Sequence, residues 1–194
     1  TCQIGPPASY GKNSKIIKCD ITKFSELYKL KIKNISAVIH LAAQSSGPKS
    51  YEIPEIDINI NILGTINIIK FCKKNKIKKF FFSSSFTIYG QSKKFKLNEN
   101  DSCNPKSFYA VSKFASEKYI QLLCNKYKIQ WNILRLFNVY GPGQDLKRAD
   151  QGIVSIYLNY IKNSNILPLK GSLKRFRDLI YIDDVVAGWL LCLE

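Results

Sequence analysis

The sequence predicts an α/β fold built on a parallel sheet, and three observations predict it. Short apolar runs of buried-strand type recur along the chain: SAVIHLAA (36–43), KKFFFSSS (78–85) and WNILRLFNV (131–139). Segments of helical length, roughly 54–74 and 106–127, lie between them. Strand-length runs alternating with helix-length segments are the pattern of strand and crossover-helix units, whose strands pair parallel.

Each element has its own reason. SAVIHLAA is continuously apolar, as a strand covered on both faces must be. The next segment is ambiguous in its core, because IDININIL (56–63) alternates with the period of a strand. No turn signal interrupts it before Asn75, it is too long for one strand, and Pro54 suits a first helical turn, so the spacing predicts a helix over 54–74. KKFFFSSS is a second strand, ending in small polar residues. Pro105 opens the second helix and Ser107 offers it a cap. Phe108, Val111, Ala115, Tyr119, Leu122 and Leu123 then recur at helical spacing. WNILRLFNV is the third strand. GPGQD (141–145) is a loop, a helix follows over about 152–163, and SLKRFRDLIYI leads into a final helix, DDVVAGWLLCL. The expected division is 1–145 for the sheet-bearing part and 146–194 for a smaller region with the returning helix.

Composition bounds the function. The chain has 194 residues, 45% of them hydrophobic, enough for one domain with a real core. No apolar run has the length of a membrane span, and TCQIGPPASYGKNSK lacks the order of a signal peptide. A soluble, cytoplasmic protein without a membrane partner is expected. Six cysteines without a C-x-x-C pair and the single His40 lead us to expect buried free thiols in a reducing compartment and no metal. A chain with no Met is expected to be a processed or partial sequence. The net charge of +16 raises the question of nucleic acid. Its carriers are mostly lysines spread along the chain, with only Arg135, Arg148, Arg175 and Arg177. The densest run, KKNKIKK (73–79), falls where the helix dipole favours cations, so nucleic acid is not expected as a partner.

SFYAVSKFASEKY (107–119) sets Tyr109 four residues before Lys113. Roughly one or two such pairs are expected by chance in so lysine-rich a chain, and Tyr89 with Lys93 is another. Context separates them. Tyr109 and Lys113 fall one turn apart on a predicted helix, whereas Tyr89 is followed by Gly90, Gln91 and Ser92, a turn-like run. A phenol with a pKa near 10 is a poor base at neutrality, and an ammonium one turn away favours its phenolate. A hydroxyl at the carboxyl end of a strand, where parallel sheets hold ligands, completes the chemistry; Ser83, Ser84 and Ser85 stand there.

These residues belong to a longer series: Asp20-Ile21, HLAA (40–43), NILGT (61–65), SSSFTIYG (83–90), YAVSK (109–113), RLFNVYGPGQ (135–144) and RDLIYIDDV (177–185). In order and spacing the chain resembles the extended short-chain dehydrogenase/reductase family, in particular its NAD-dependent epimerase/dehydratase branch acting on nucleotide sugars. The resemblance implies a Rossmann-like, doubly wound parallel sheet, here partial, in 1–145, and the start of a small substrate-binding region in 146–194. It implies Tyr109 as catalytic base and acid, Lys113 as holder of the nicotinamide ribose that lowers the tyrosine pKa, and Ser85 as the hydroxyl bonded to the sugar. Asp20 and Ile21 would meet the adenine, and Leu41, Ala42 and Ala43 would let the backbone approach NAD. Asn138 and Arg177 would meet the diphosphate of a substrate, expected to be UDP-linked, and Asn61 would support the site. A homodimer through the helices at 54–74 and 106–127 is implied as well.

Ordinary roles exist for several of these residues. Tyr109 and Lys113 suit any amphipathic helix, Ser85 a turn cap, Asp20 a cap for the helix in FSELYKL, Arg177 an ion pair with Asp178, and His40 a structural place at a strand end. Similar 4,6-dehydratases carry Asp and Glu directly after the catalytic hydroxyl, where this chain has Phe86 and Thr87. The resemblance therefore favours 4-epimerisation through a 4-keto sugar over dehydration or reduction. The family's G-x-x-G-x-x-G loop is not matched, since Gly5 and Gly11 have the wrong spacing. The alternatives are a nucleotide-sugar 4,6-dehydratase or reductase of the same family, or a truncated non-catalytic nucleotide-sugar-binding remnant.

Overall fold

Three parallel strands make the main sheet, in the order β1 (Ala37–His40), β2 (Lys79–Ser85), β3 (Gln130–Leu136). The computed structural model describes residues 14–194 apart from 93, 148, 149, 151, 165, 168, 170, 171 and 175. Gly5, Gly11, Lys93, Arg148 and Arg175, all singled out above, and Cys2, one of the six cysteines, lie outside the described residues. Helices α1 (Phe24–Lys29), α2 (Gly47–Glu52), α3 (Pro54–Asp57), α4 (Gly64–Lys74), α5 (Phe108–Tyr127), α6 (Ile153–Ser164) and α7 (Ile182–Leu193) surround it. A second parallel pair, β4 (Asn138–Tyr140) with β5 (Leu179–Tyr181), joins the chain before and after residue 145.

The run Phe80-Phe81-Phe82 explains why helices cover both faces. Successive strand side chains point to opposite sides, and here both sides are buried. Phe80 and Phe82 pack with Ile69 and Cys72 of α4 and Ile120 and Cys124 of α5. Phe81 packs with Val185 and Trp189 of α7, its ring 6.5 Å from the indole. Each fully buried aromatic is worth about 2–3 kcal/mol, so β2 is the seam of the fold.

The predicted helix over 54–74 exists, with a π-helical turn, Ile58–Leu63, between α3 and α4. The strand expected over 36–43 stops at His40, leaving Leu41–Ala43 irregular at its carboxyl end. The run 131–139 breaks at Phe137: Leu136 pairs with Ser85 in the main sheet, whereas Asn138 pairs with Leu179 of β5. In α5 the apolar stripe faces outward. Phe108, Val111, Tyr119 and Leu122 are exposed, while Ala110, Lys113, Ser116, Glu117, Ile120 and Cys124 are buried. The inward face is mixed: Ile120 and Cys124 pack on Phe80 and Phe82, while Ser112 and Ser116 hydrogen-bond Asn61.

Candidate active site

Ser107 caps α5, accepting from the amide of Ala110 at 3.1 Å, a bond worth about 1 kcal/mol. That start fixes the phase of the helix, which carries Tyr109, Lys113 and Glu117 one below another at four-residue spacing. Ser85 stands where β2 ends. Its hydroxyl accepts from the amide and hydroxyl of Thr87 at 3.3 and 3.0 Å, so it does cap the turn Phe86–Tyr89. It also lies close enough to the phenol of Tyr109 to pull its pKa down. The strand end and the helix start thus bring a serine and a tyrosine hydroxyl together.

The Tyr109 phenol titrates above its ordinary value. Burial holds it there, Ser85 pulls it down by less, and the Asp57 carboxylate raises it further. Lys113 is itself 3% exposed, with its ammonium 4.1 Å from the centre of the Phe82 ring. Burial pushes it down to about 7, against the pull of Glu117. Burial thus weakens, without abolishing, the charge that Lys113 can offer its tyrosine.

His40, its ring 5.6 Å from that of Phe82, is buried at the end of β1 in a structural place. Its Nε2 lies 3.0 Å from the hydroxyl of Thr65, whose own proton goes to the carbonyl of Asn61, so Nε2 is the protonated nitrogen. Burial, with the nearby Lys113 charge, pushes the ring down to about 3. It is neutral at any physiological pH.

Asn61, on the π turn, joins the strand end to the helix. Its amide donates to the carbonyl of Gln44 (3.1 Å) and the hydroxyl of Ser112 (2.9 Å), and its side-chain oxygen accepts from the Gln44 amide (2.8 Å). Its backbone carbonyl accepts from Thr65 and Ser116. Ser112 in turn donates to the carbonyl of Tyr109 at 2.8 Å. The buried Asp57 accepts from Ser50, Gln44 and Asn61. Gln44, Asp57 and Ser112 escaped the sequence reading; the polar residues Asp57, Asn61 and Thr65 at helical spacing were the signal for Asp57, and Gln44 and Ser112 had none.

The residues matched to a dinucleotide have a definite frame. Asp20 accepts from the amide and hydroxyl of Thr22 (3.0 and 2.8 Å), which, with Lys23 as a lesser cause, holds its carboxyl below the usual range; it does not cap α1, which has no side-chain cap. Asn67 donates to the carbonyls of Ile21 and Thr22 at 2.9 and 3.1 Å. A Cβ on Gly64 would come within 2.7 Å of the Ile21 Cδ1, so a larger residue there would make the Ile21 side chain turn aside. Leu41 is exposed and Ala42 and Ala43 half-buried, on a loop pinned by Asn61. Small side chains, a fixed backbone and Lys113 beyond them suit the approach of a dinucleotide.

Asn138 and Arg177 stand apart, on the β4–β5 pair. The amide of Asn138 donates to the carbonyl of Asp178 at 2.9 Å. Arg177 is exposed, with no ion pair to Asp178 among the described residues. The competing Tyr89 is also accounted for. It is 5% exposed and its hydroxyl accepts from Arg135 at 2.8 Å. Arg135 holds Glu117 with two bonds, Nε to Oε1 at 3.1 Å and Nη2 to Oε2 at 2.9 Å. Phe86 stacks on Phe137, rings 5.0 Å apart and 11° from parallel, at the ends of β2 and β3. A cleft of about 790 Å³ lies on the far side of Arg135, lined by Trp131, Ile133, Asn98 and Asp184 among others, and includes none of Ser85, Tyr109 and Lys113.

A parallel sheet with helices on both faces, and a Ser–Tyr–Lys cluster at its carboxyl end, define a Rossmann-like protein of dehydrogenase type. The chain belongs to the NAD dependent epimerase/dehydratase family, whose profile matches residues 4–194. The UDP-glucose 4-epimerase of Thermotoga maritima, solved with UDP-glucose, is similar at 32% identity and a TM-score of 0.84 over 90% of this chain and 57% of that one. A UDP-glucuronate 4-epimerase of Thermodesulfobacterium geofontis is 32% identical over 94% of this chain and 56% of its own. A dTDP-D-glucose 4,6-dehydratase of Dictyostelium discoideum is 30% identical over 84% of this chain and 39% of its own. The chain thus spans about half the length of the relatives it matches.

Proposed function

We propose that the chain carries the catalytic part of an NAD-dependent nucleotide-sugar 4-epimerase acting on a UDP-linked hexose or N-acetylhexosamine. The observation that carries this reading is the convergence of Ser85, at the end of β2, on Tyr109, near the start of α5, close enough to lower the phenol's pKa, with Lys113 one turn beyond. Bound NAD supplies the acceptor and donor of hydride. Tyr109 takes the proton of the sugar 4-hydroxyl at its Oη and returns it later, while Ser85 holds the same hydroxyl. Lys113 holds the ribose and, when charged, steadies the phenolate. Asp20 and Ile21 receive the adenine, Ala42 and Ala43 the dinucleotide backbone, and Asn138 and Arg177 the diphosphate. Phe86 and Thr87 offer no acid and base for eliminating water, which favours reversible oxidation over dehydration.

The reading includes a division into a cofactor part, 1–145, and a substrate part, 146–194. It includes a cytoplasmic setting, supported by the five free cysteines among the described residues. It also includes a homodimer, supported by Val111 and Leu122, 50% and 69% exposed on α5, and Ile58, 55% exposed on the π turn.

Calorimetric titration of NAD into the 194-residue chain, followed by a UDP-sugar epimerase assay, is the test. NAD binding is expected. Tyr109→Phe removes turnover while leaving the fold and NAD binding in place; a variant with normal turnover overturns the assignment.

A further inference from the structure

Lys113 is a buried ammonium without an ion pair among the described residues. What faces it can be named element by element. β2 offers the Phe82 ring, β1 the neutral His40, and α5 Tyr109 above and Glu117 below. β3 contributes Arg135 behind Glu117, and α3 contributes Asp57, which acts on Tyr109. Of these, Glu117 is the one carboxylate on the lysine's own helix face, one turn away and 1% exposed. Its two oxygens are clamped by Arg135, whose remaining nitrogen reaches the Tyr89 hydroxyl and the Glu99 carbonyl at 2.8 and 3.0 Å. Glu117 therefore cannot swing toward Lys113 and bond it, and acts on it through space.

We propose that Glu117 is a positioning residue of the catalytic helix, a clamped carboxylate that keeps the ammonium of Lys113 charged, with Arg135 setting how much of its charge the lysine feels. This deepens the reading of Tyr109 and Lys113 as a working pair, since an uncharged lysine steadies no phenolate. A field across one helical turn through a buried site is enough to move a titration by about one pH unit. Arg135 works in the opposite direction, because its guanidinium neutralises the carboxylate it holds.

The only histidine in the sequence is the reporter. The His40 ring stays neutral, and its C2 proton registers the charge of Lys113 as a small inflection in an NMR titration. In the wild-type chain the inflection is expected near pH 7, and Lys113→Met abolishes it. Glu117→Gln, which keeps the shape and removes the charge, moves the midpoint down by about one unit, and Arg135→Met moves it up. A role limited to structure predicts no such opposite shifts. An unmoved midpoint in either folded variant, or a shift of the same sign in both, overturns the proposal. The titration needs neither cofactor nor sugar. Opposite shifts in a chain with no epimerase activity would leave this proposal standing, and an active enzyme with an unmoved midpoint would overturn it alone.

Discussion

Lys76 and Lys128 end their helices in the same way. Each sits in the left-handed region, with φ of 56° and 54°, and each lets the following isoleucine amide reach back to a cysteine carbonyl, Ile77 to Cys72 at 3.0 Å and Ile129 to Cys124 at 2.9 Å. The turn is that of a helix stop feeding directly into a strand, a position that favours glycine. A lysine there carries strain of about 1 kcal/mol or more, partly offset by its smaller backbone entropy in the unfolded chain. Lys76→Gly and Lys128→Gly are each expected to stabilise the fold by about 0.5–1 kcal/mol, additively because the sites share no partner. Urea unfolding midpoints at unchanged slope check this; a loss of stability would show that the left-handed residues are not strained.

Acid stability depends on His40. Its folded pKa of about 3 lies below the ordinary 6.5, so its contribution is full above pH 6.5 and drains away as pH falls toward 3. Lys113 has the same sign: at about 7 against 10.5, the folded chain gives up that proton first, and stability rises as pH climbs above 7. Cys72 and Cys124 oppose this, since burial pushes both thiols up to about 12 from 9.0 and their contribution is lost as pH rises past 9. The maximum of stability is therefore expected around pH 9, more alkaline than is common. Thermal melts from pH 5 to 11 test it, and a maximum at or below pH 7 would contradict the burial of Lys113.

Asn61→Ala removes four side-chain hydrogen bonds and strands the Gln44 amide and carbonyl in a buried loop. A cost of about 3–4 kcal/mol is expected, well above that of an exposed asparagine. Amide exchange gives the finer check: the Gln44 N–H should lose its protection before the core strands lose theirs.

Leu122→Glu is expected to turn a dimer into a folded monomer, because the residue is 69% exposed and touches no core. Light scattering with circular dichroism reads both outcomes. A wild-type chain that is monomeric at high concentration would count against the dimer.

The strands were legible because a strand buried on both faces must be apolar throughout, and Phe80-Phe81-Phe82 says so without ambiguity. The meeting of Ser85 with Tyr109 was legible for a related reason, a strand end and a capped helix start being both marked in the sequence. The break at Phe137 was not, since neither glycine nor proline marks it. Nor was the direction of α5, where much of the apolar stripe follows an outer surface and the inner face holds Lys113, Ser116 and Glu117 beside Ile120 and Cys124. The bond between Glu117 and Arg135 joins residues 18 apart in the chain, beyond any local pattern. An arginine inside an apolar strand of a lysine-rich protein was the sign of it.

The π turn at Ile58–Leu63 joins α3 to α4. Such a turn holds one residue more than an α-helix would use. Because the extra residue is taken up within about one turn, deleting it would leave a regular helix with everything after it in nearly the same phase. Gly64 would still face Ile21, Thr65 His40, and Asn67 the carbonyls it holds. The segment therefore acts as a washer in the helix: the loss of that residue would be felt at Asn61 and its partners, inside the turn, and not along the helix that follows.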